Sequence, residues 1–186
     1  SLTFLSKIQA IDSLGKFVCH DYKTYTHCVN VFAYSSLLLN TYNLPFSLKR
    51  KVGMGALLHD IGKTFISQKI LNKPGKLNPK EWQEVQKHTL YGLRMCSKLT
   101  LSQTTIHCIL FHHEKYNGRG YLSGLEGEEI PFPVKVITCC DVYDAITSSR
   151  PYADAETSSN ALKIMSQQME GSFDQDIFAR FSSLWL

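Results

Sequence analysis

Apolar positions along this chain recur mostly at steps of three and four residues, the spacing of one face of an α-helix. The pattern predicts an all-α fold with helices near residues 4–19, 24–42, 47–61, 79–98, 102–113, 134–148, 157–169 and 174–184. Helix-start signals stand at Ser47, Asn78 and Ser102. The stretch 117–133 holds four glycines and two prolines and is expected to be a loop.

The predicted apolar faces are interrupted by histidine and aspartate side chains. His27 shares a face with Val31 and Leu38. His88 and Asp141 repeat this arrangement in two later helices. One such residue alone is more often a hydrogen-bonded core residue than a ligand. Several together are hard to explain in this way, because each uncompensated polar group costs about 1–3 kcal/mol.

The adjacent residues His59 and Asp60 indicate that the polar side chains on these apolar faces are metal ligands. They lie at the predicted end of a helix, in the sequence Ala-Leu-Leu-His-Asp-Ile-Gly-Lys over residues 56–63. At a helix end, an imidazole and a carboxylate can face the same space and hold a metal ion. The residues predicted to share a metal centre are His27, His59, Asp60, His88, His112, His113 and Asp141. His20 and His107 do not match the pattern and are left out.

The order and surroundings of these residues resemble the HD superfamily of metal-dependent phosphohydrolases. The segment 112–121, which reads His-His-Glu-Lys-Tyr-Asn-Gly-Arg-Gly-Tyr, narrows the resemblance to the HD-GYP subfamily, bacterial phosphodiesterases of cyclic di-GMP. The resemblance extends over residues 20–170 and includes Lys63, the sequence Asp-Val-Tyr-Asp-Ala at 141–145 and Ser-Arg-Pro-Tyr at 149–152. It implies an HD-domain helical bundle with a dinuclear metal centre.

Three positions depart from the family pattern. Leu122 stands where the Gly-Tyr-Pro motif has proline, and Asn117 stands where the preceding loop usually has aspartate. The loop signature is therefore degenerate and reads Gly-Tyr-Leu. Lys23 occupies a position where some members carry a glutamate that helps to hold a third metal ion. Because lysine cannot ligate in this way, we expect two metal ions and not three.

The charge of a phosphodiester indicates what the implied centre must do. The diester is anionic and repels hydroxide, so two cations are needed to neutralise it and to acidify a bound water. We assign Asp60 as the carboxylate that bridges them. One ion would be completed by His27, His59 and Asp141, and the other by His88, His112 and His113. Imidazole and carboxylate ligands without thiolate favour iron or manganese.

Asp60 and Lys63 are the predicted catalytic residues. Lys63, one turn after Asp60, can reach a nonbridging phosphate oxygen and stabilise the charge that grows in the transition state. The plainer alternative is a solvated lysine at a helix end. By resemblance, Lys63, Tyr121 and Arg150 contact the substrate, although Arg150 could instead form a surface ion pair with a nearby aspartate. The loop 117–133 is expected to be a lid or substrate wall and not a mere connector.

Composition limits the setting in which this chemistry takes place. The 186 residues are 44% apolar with a formal charge of +4, which fits one domain over residues 1–186 and gives no basic stripe for nucleic acid. No apolar run reaches the about 18 residues of a membrane span, and no signal peptide is evident. The six cysteines show no CxxC spacing and fall mostly in apolar runs, which favours reduced thiols and a cytoplasmic protein.

Partners are expected beyond this domain. The chain begins with serine, and we expect it to be a fragment of a longer protein in which a sensor or receiver module precedes it. The expected substrate is a cyclic dinucleotide. A diguanylate cyclase-type protein is a further expected partner of such a phosphodiesterase.

Three functions from different classes remain open on the sequence. The first is a phosphodiesterase that opens cyclic di-GMP to linear pGpG, with GMP as a possible end product. The second is a degenerate relative that binds metal and ligand as a signalling adaptor, which Leu122 and Asn117 favour. The third is an HD phosphohydrolase for another nucleotide. The complete ligand set argues against the second function, and the glycine-rich loop with Arg150 argues against the third.

Overall fold

A computed structural model describes residues 22–148 and 155–185, and every regular element in these ranges is helical, which confirms the predicted all-α fold. The α-helices in these ranges are α1 (Tyr22–Asn40), α2 (Phe46–Leu58), α3 (Gln68–Leu71), α4 (Pro79–Gln86), α5 (His88–Cys96), α6 (Gln103–Phe111), α7 (Phe132–Thr147), α8 (Ser158–Gln167) and α9 (Gln175–Ser183). Short 3₁₀ segments cover Ile61–Phe65 and Gly127–Glu129. The helix predicted over 4–19 lies outside the described residues.

Helix α7 is the centre of the bundle. It packs against α1, α2, α6, α8 and α9. Ten of its sixteen residues are buried, which is typical of a helix covered on all sides. The main apolar cluster lies around it and includes Leu38, Ile137, Tyr143, Met165 and Phe181. Each such fully buried side chain stabilises the fold by about 1.5–3 kcal/mol.

Two of the three predicted helix starts are confirmed. Asn78 caps α4 with a reciprocal capping box, in which its side chain accepts the Glu81 N–H and the Glu81 carboxylate accepts the Asn78 N–H. Ser102 caps α6. The start predicted at Ser47 is wrong, because α2 begins at Phe46 after Pro45. The Pro45 carbonyl already accepts the first helical hydrogen bonds, so Ser47 lies inside the helix.

The single helix predicted over 79–98 is two helices that meet at Lys87. The Lys87 N–H donates to the Glu84 carbonyl, three residues back, which tightens the turn. Helix α4 consequently leaves the core and has no buried residue, whereas α5 begins with the fully buried His88. The helical spacing of apolar residues continues across Lys87, so the sequence pattern does not reveal the break between the two helices.

No helix in the described part of the chain is both long and apolar enough to cross a bilayer. The predicted loop 117–133 contains the 3₁₀ segment Gly127–Glu129, and its last two residues belong to α7. Helix α3 and the 3₁₀ segment Ile61–Phe65 were not predicted. Both follow the end of α2, where the chain turns across the start of α5.

Candidate metal centre

His59 and Asp60 lie at the end of α2, as predicted. The helix ends at Leu58, and the chain tightens into the 3₁₀ segment Ile61–Phe65. Gly62 allows this segment to lie directly on α5, because a Cβ atom there would collide with the His88 carbonyl oxygen. The close approach brings His59 and Asp60 beside His88, which explains the glycine in the sequence His-Asp-Ile-Gly-Lys.

Three histidines are held in one tautomer by backbone carbonyls. Each lies within hydrogen-bond distance of a carbonyl one turn earlier, and the pairs are His59 with Ala56 (2.7 Å), His88 with Val85 (2.6 Å) and His112 with Ile109 (3.0 Å). Because a carbonyl can only accept, Nδ1 carries the proton and Nε2 keeps a lone pair. The Nε2 atoms of His88 and His112 lie 3.2 Å apart. Two lone pairs at this distance repel unless a cation lies between them.

A carboxylate holds the fourth histidine. The Nδ1 atom of His27 lies 2.6 Å from Oδ2 of Asp144, and Oδ1 of Asp144 accepts a hydrogen bond of 2.9 Å from the Asn30 amide. The opposite ring nitrogen lies 2.9 Å from Oδ1 of Asp141. Sequence reasoning missed this role of Asp144 and Asn30. The available signal was spacing, since Asp144 follows Asp141 by one turn on α7.

The potential ligand atoms form two groups. Within each group they lie within 4.8 Å of one another, and the groups are Asp60 with His88, His112 and His113, and His27 with His59 and Asp141. All seven residues predicted from the sequence are thus brought together. Their division matches the predicted sharing between two ions.

Asp60 lies between the two groups, with one oxygen toward each. Its Oδ1 lies 3.3 Å from Nε2 of His88 and 3.7 Å from Nε2 of His112. Its Oδ2 lies 3.5 Å from Nε2 of His59 and 3.6 Å from Nε2 of His27. This is the arrangement expected of a bridging carboxylate.

The electrostatics of these side chains fit a cation. Oδ1 of Asp60 is buried without a hydrogen-bond donor among the described residues, a costly state that a metal ion would relieve. Burial lowers the pKa of His59 to about 4 and that of His88 to about 3, so both rings are neutral and able to ligate at neutral pH. Burial opposes ionisation of Asp60, but the nearby Lys63 ammonium holds its pKa well below the usual range.

His27 differs from His59 and His88 because its pKa is raised and not lowered. Burial lowers its pKa, but hydrogen bonds to Asp141 and Asp144 outweigh burial and raise the pKa to about 9. The two carboxylates, at 2.9 and 2.6 Å from the ring nitrogens, make this a position that favours positive charge.

Cys28 also lies near the centre, although sequence reasoning did not assign it. Its Sγ atom lies 3.9 Å from Nδ1 of His59, and it forms a third potential group with His59 and Asp60. Burial raises the pKa of the Cys28 thiol well above its usual range, so the thiolate needed for ligation is disfavoured. The donor set is therefore imidazole and carboxylate, which suits a divalent transition metal.

Two of the three predicted substrate residues lie beside this centre. The Lys63 ammonium is 2.5 Å from Oδ2 of Asp60, and 23% of the side chain is exposed. Burial would lower the pKa of Lys63, but Asp60 raises it overall, so the side chain is charged. The Tyr121 ring stacks on His113 with centroids 4.6 Å apart. Arg150 lies outside the described residues.

His107, which was not assigned to the metal centre, forms a hydrogen bond with Gln103 on its own helix.

The glycine-rich loop is fastened to the end of α6. A Cβ atom on Gly120 would lie 2.5 Å from the Cα of Glu114 and from the His113 oxygen, so only glycine fits there. This contact places the next residue, Tyr121, on His113. The Asn117 amide oxygen accepts the Arg119 N–H, a turn-forming role that an aspartate also fills. Leu122 is exposed, so it replaces proline without filling a buried position.

Glu114 anchors the same loop from within the protein. The residue is 1% exposed, and its carboxylate accepts the backbone N–H groups of Ser123 (2.6 Å), Gly124 (3.2 Å) and Leu125 (3.1 Å). Sequence reasoning placed Glu114 in a motif but gave it no role. Its position directly after two inward histidines was the available signal.

Replacement of Glu114 by glutamine should loosen the loop. An amide presents one acceptor oxygen and no charge, and a lost charge-assisted bond costs about 1.5–3 kcal/mol. We expect amide hydrogen exchange at residues 123–125 to accelerate about tenfold or more, as local opening becomes easier. The exposed Glu170→Gln is the matched control. Unchanged exchange in Glu114→Gln would contradict the proposed anchor.

The chain matches the HD domain family over residues 11–177, most of its length, and therefore belongs to that family. A solved HDG"Y"P protein from Bdellovibrio bacteriovorus has the same fold, with a TM-score of 0.73 and 22% identity over 87% of this chain and 52% of that one. The HD domain of the phosphodiesterase PgpH from L. monocytogenes gives a TM-score of 0.65 at 16% identity. The match covers 92% of this chain and 93% of that one.

Curated relatives point to the same kind of HD domain. A cyclic di-GMP phosphodiesterase of Pseudomonas aeruginosa is 39% identical over 97% of this chain, and a 3'3'-cGAMP-specific phosphodiesterase of Vibrio cholerae is 37% identical over 91%. The HD-GYP domain predicted from the sequence is confirmed. The chain spans only 44% and 37% of the lengths of these two relatives.

Proposed function

We propose that this domain is a metal-dependent phosphodiesterase that hydrolyses cyclic di-GMP to linear pGpG. The observation that carries the proposal is the position of Asp60, with one carboxylate oxygen toward each of two histidine groups. Relatives named cyclic di-GMP phosphodiesterases, at 30–39% identity, support the substrate class. Further cleavage of pGpG to GMP belongs to the same proposal.

In this proposal the seven clustered residues hold two divalent ions, iron or manganese, with Asp60 shared between them. Bound there, the ions would neutralise the phosphodiester and lower the pKa of a bound water. The protein contributes fixed geometry, because the backbone carbonyls and Asp144 hold four of the five histidine rings before any ion arrives.

Substrate contacts are assigned to the charged and aromatic side chains at the edge of the centre. Lys63 would exchange its present partner, Asp60, for a nonbridging phosphate oxygen and stabilise the charge that develops there. Tyr121 would form a wall of the substrate site, since it lies on His113. Arg150 would provide a forked donor to phosphate or guanine, a role proposed from the family resemblance.

One assay tests this proposal directly. Protein purified without oxygen and loaded with iron or manganese is incubated with cyclic di-GMP, and the products are separated by chromatography. We expect pGpG to appear, with GMP following more slowly. Binding of cyclic di-GMP without hydrolysis over hours would replace the enzyme by a signalling adaptor, with Leu122 and Asn117 as the suspected cause.

The alternative substrate is 3'3'-cGAMP. Several relatives with 31–37% identity to this chain are named 3'3'-cGAMP-specific phosphodiesterases. Cyclic di-GMP and 3'3'-cGAMP differ in one base, so the metal centre itself cannot distinguish them. Parallel assays with both nucleotides measure the preference. Faster hydrolysis of 3'3'-cGAMP would assign the domain to the alternative substrate.

Lys23 provides a test of the proposed metal count. It lies exposed on α1, one turn before His27, at the position where some family members carry a ligating glutamate. We expect Lys23→Glu to raise the metal content from about two toward about three ions per chain and to speed conversion of pGpG to GMP, because a wider cluster can hold a terminal phosphate. Lys163→Glu makes the same charge change on α8 as a control. Equal metal content in both variants would count against the explanation.

The wider setting of the domain is also part of the proposal. The five cysteines in the described ranges are free thiols, which supports a reducing, cytoplasmic location. We propose one domain over residues 1–186 within a longer protein that carries a sensor or receiver module. A relative from Xanthomonas campestris is named a cyclic di-GMP phosphodiesterase response regulator, which supports a receiver module. A diguanylate cyclase-type partner remains a prediction from the sequence.

A further inference from the structure

Trp82 is a large aromatic side chain that remains half exposed close to the metal centre. It lies on α4, and 47% of its surface is open to solvent. Its indole lies 5.9 Å from the Tyr121 ring at an interplanar angle of 81°. Tyr121 in turn stacks on His113, with centroids 4.6 Å apart and an angle of 28°. The three rings form a continuous row from the metal centre to the surface.

The two outer rings of this row form a corner. Because Trp82 and Tyr121 are nearly perpendicular, a flat group that stacks on one ring meets the other ring at its edge. Tyr121 is already stacked against His113, whereas Trp82 is half open. The indole is therefore the platform of the corner, and Tyr121 is its side wall.

Helix α4, which carries Trp82, is anchored at its start without being packed into the core. No residue of α4 is buried, so the helix is not positioned by an apolar face. Its start is fixed by the Asn78 and Glu81 capping box, and the Glu81 carboxylate also binds the Lys73 ammonium at 2.6 and 2.8 Å. These contacts position the backbone that carries Trp82 before any ligand binds, which lowers the entropy cost of binding a flat group there.

We propose that Trp82 stacks on a nucleobase of the cyclic dinucleotide, with Tyr121 at the edge of that base. The inference rests on the proposed function, which supplies a substrate with two flat bases beside the phosphodiester at the metal centre. Stacking on an aromatic ring strengthens binding about tenfold or more per base and is tolerant of base identity. Trp82 therefore sets affinity for cyclic dinucleotides and does not choose between guanine and adenine.

Binding measurements with substitutions at residue 82 test the proposal. The probe is a phosphorothioate analogue of cyclic di-GMP that resists hydrolysis, added to metal-loaded protein. Trp82→Ala should raise its Kd about tenfold and Trp82→Phe by less, since phenylalanine still offers a ring. The metal content should stay near the wild-type value, because Trp82 belongs to neither group of potential ligands. An unchanged Kd in Trp82→Ala overturns the proposal.

Tryptophan fluorescence locates the base independently of affinity. The chain has two tryptophans, and the second, Trp185, stacks on Tyr143 with centroids 5.0 Å apart. Ligand should quench the emission of wild-type protein and of Trp185→Phe but not that of Trp82→Phe. Quenching that persists in Trp82→Phe shows that the ligand binds elsewhere and overturns this inference alone. Metal-loaded wild-type protein that neither binds nor hydrolyses the nucleotide overturns the proposed function, and this inference with it.

Discussion

Asp60→Ala should remove most of the bound metal and lower phosphodiesterase activity at least about a thousandfold, since the ions stabilise transition-state charge by several kcal/mol. The reason is the shared position of Asp60, whose two oxygens face the two histidine groups. Without this carboxylate both groups lose a ligand and the negative charge between them. Metal analysis of reconstituted protein and the chromatographic assay measure the two effects.

The fold should survive this substitution. Four of the five histidines at the centre are held by backbone carbonyls and Asp144 and not by Asp60, so circular dichroism should still report a helical protein. Asp176→Ala is the control, because Asp176 is 63% exposed and pairs with Arg180 on the same helix. A full complement of metal in Asp60→Ala would disprove the bridging role.

Lys63→Ala should lower kcat on the order of a hundredfold while the metal content stays unchanged. Lys63 carries a positive charge at the centre but cannot ligate a cation, so its loss removes charge stabilisation and not the ions. KM should change much less than kcat, because the charge on the phosphate oxygens grows as the transition state forms. Steady-state kinetics on metal-loaded protein provide both values.

Lys87→Ala is a matched control for this experiment. Lys87 pairs with Glu84 at the same three-residue spacing as Lys63 with Asp60, but its partner is not a proposed metal ligand and its side chain is 52% exposed, against 23% for Lys63. It should leave kcat unchanged. If Lys63→Ala loses metal as well as activity, Lys63 stabilises the centre itself, and the proposed contact with phosphate is wrong.

The candidate ligands could be predicted because the sequence places polar side chains at positions that are expected to be buried. His88 and Asp141 lie on apolar helical faces, where burying a polar side chain without a partner costs free energy, and a metal ion would supply the partner. The resemblance to the HD-GYP pattern then supplied the pairing of ligands with two ions. Arg150, assigned from the same resemblance, lies outside the described residues and stays a prediction.

Helix boundaries were predictable only where local hydrogen bonds set them. Asn78 and Ser102 bond to the first turn of their own helices, so the sequence by itself identifies both starts. The break at Lys87 and the short segments after Asp60 depend on packing of the chain against α5. The close contact between Gly62 and His88 is an example. The spacing of apolar residues indicates which residues face inward, but it does not show where one helix ends and the next begins in a new direction.

The sequence by itself determined the all-α fold, the set of inward histidines and aspartates, and the membership in the HD domain family. Only the tertiary structure decided how Asp60 divides its oxygens, that Asp144 holds His27 across 117 residues of chain, and that Trp82 meets Tyr121. The physical reason is the separation along the chain of the residues that interact. Burial and helical period are properties of neighbouring residues, whereas these contacts join segments that approach one another only after the helices have packed.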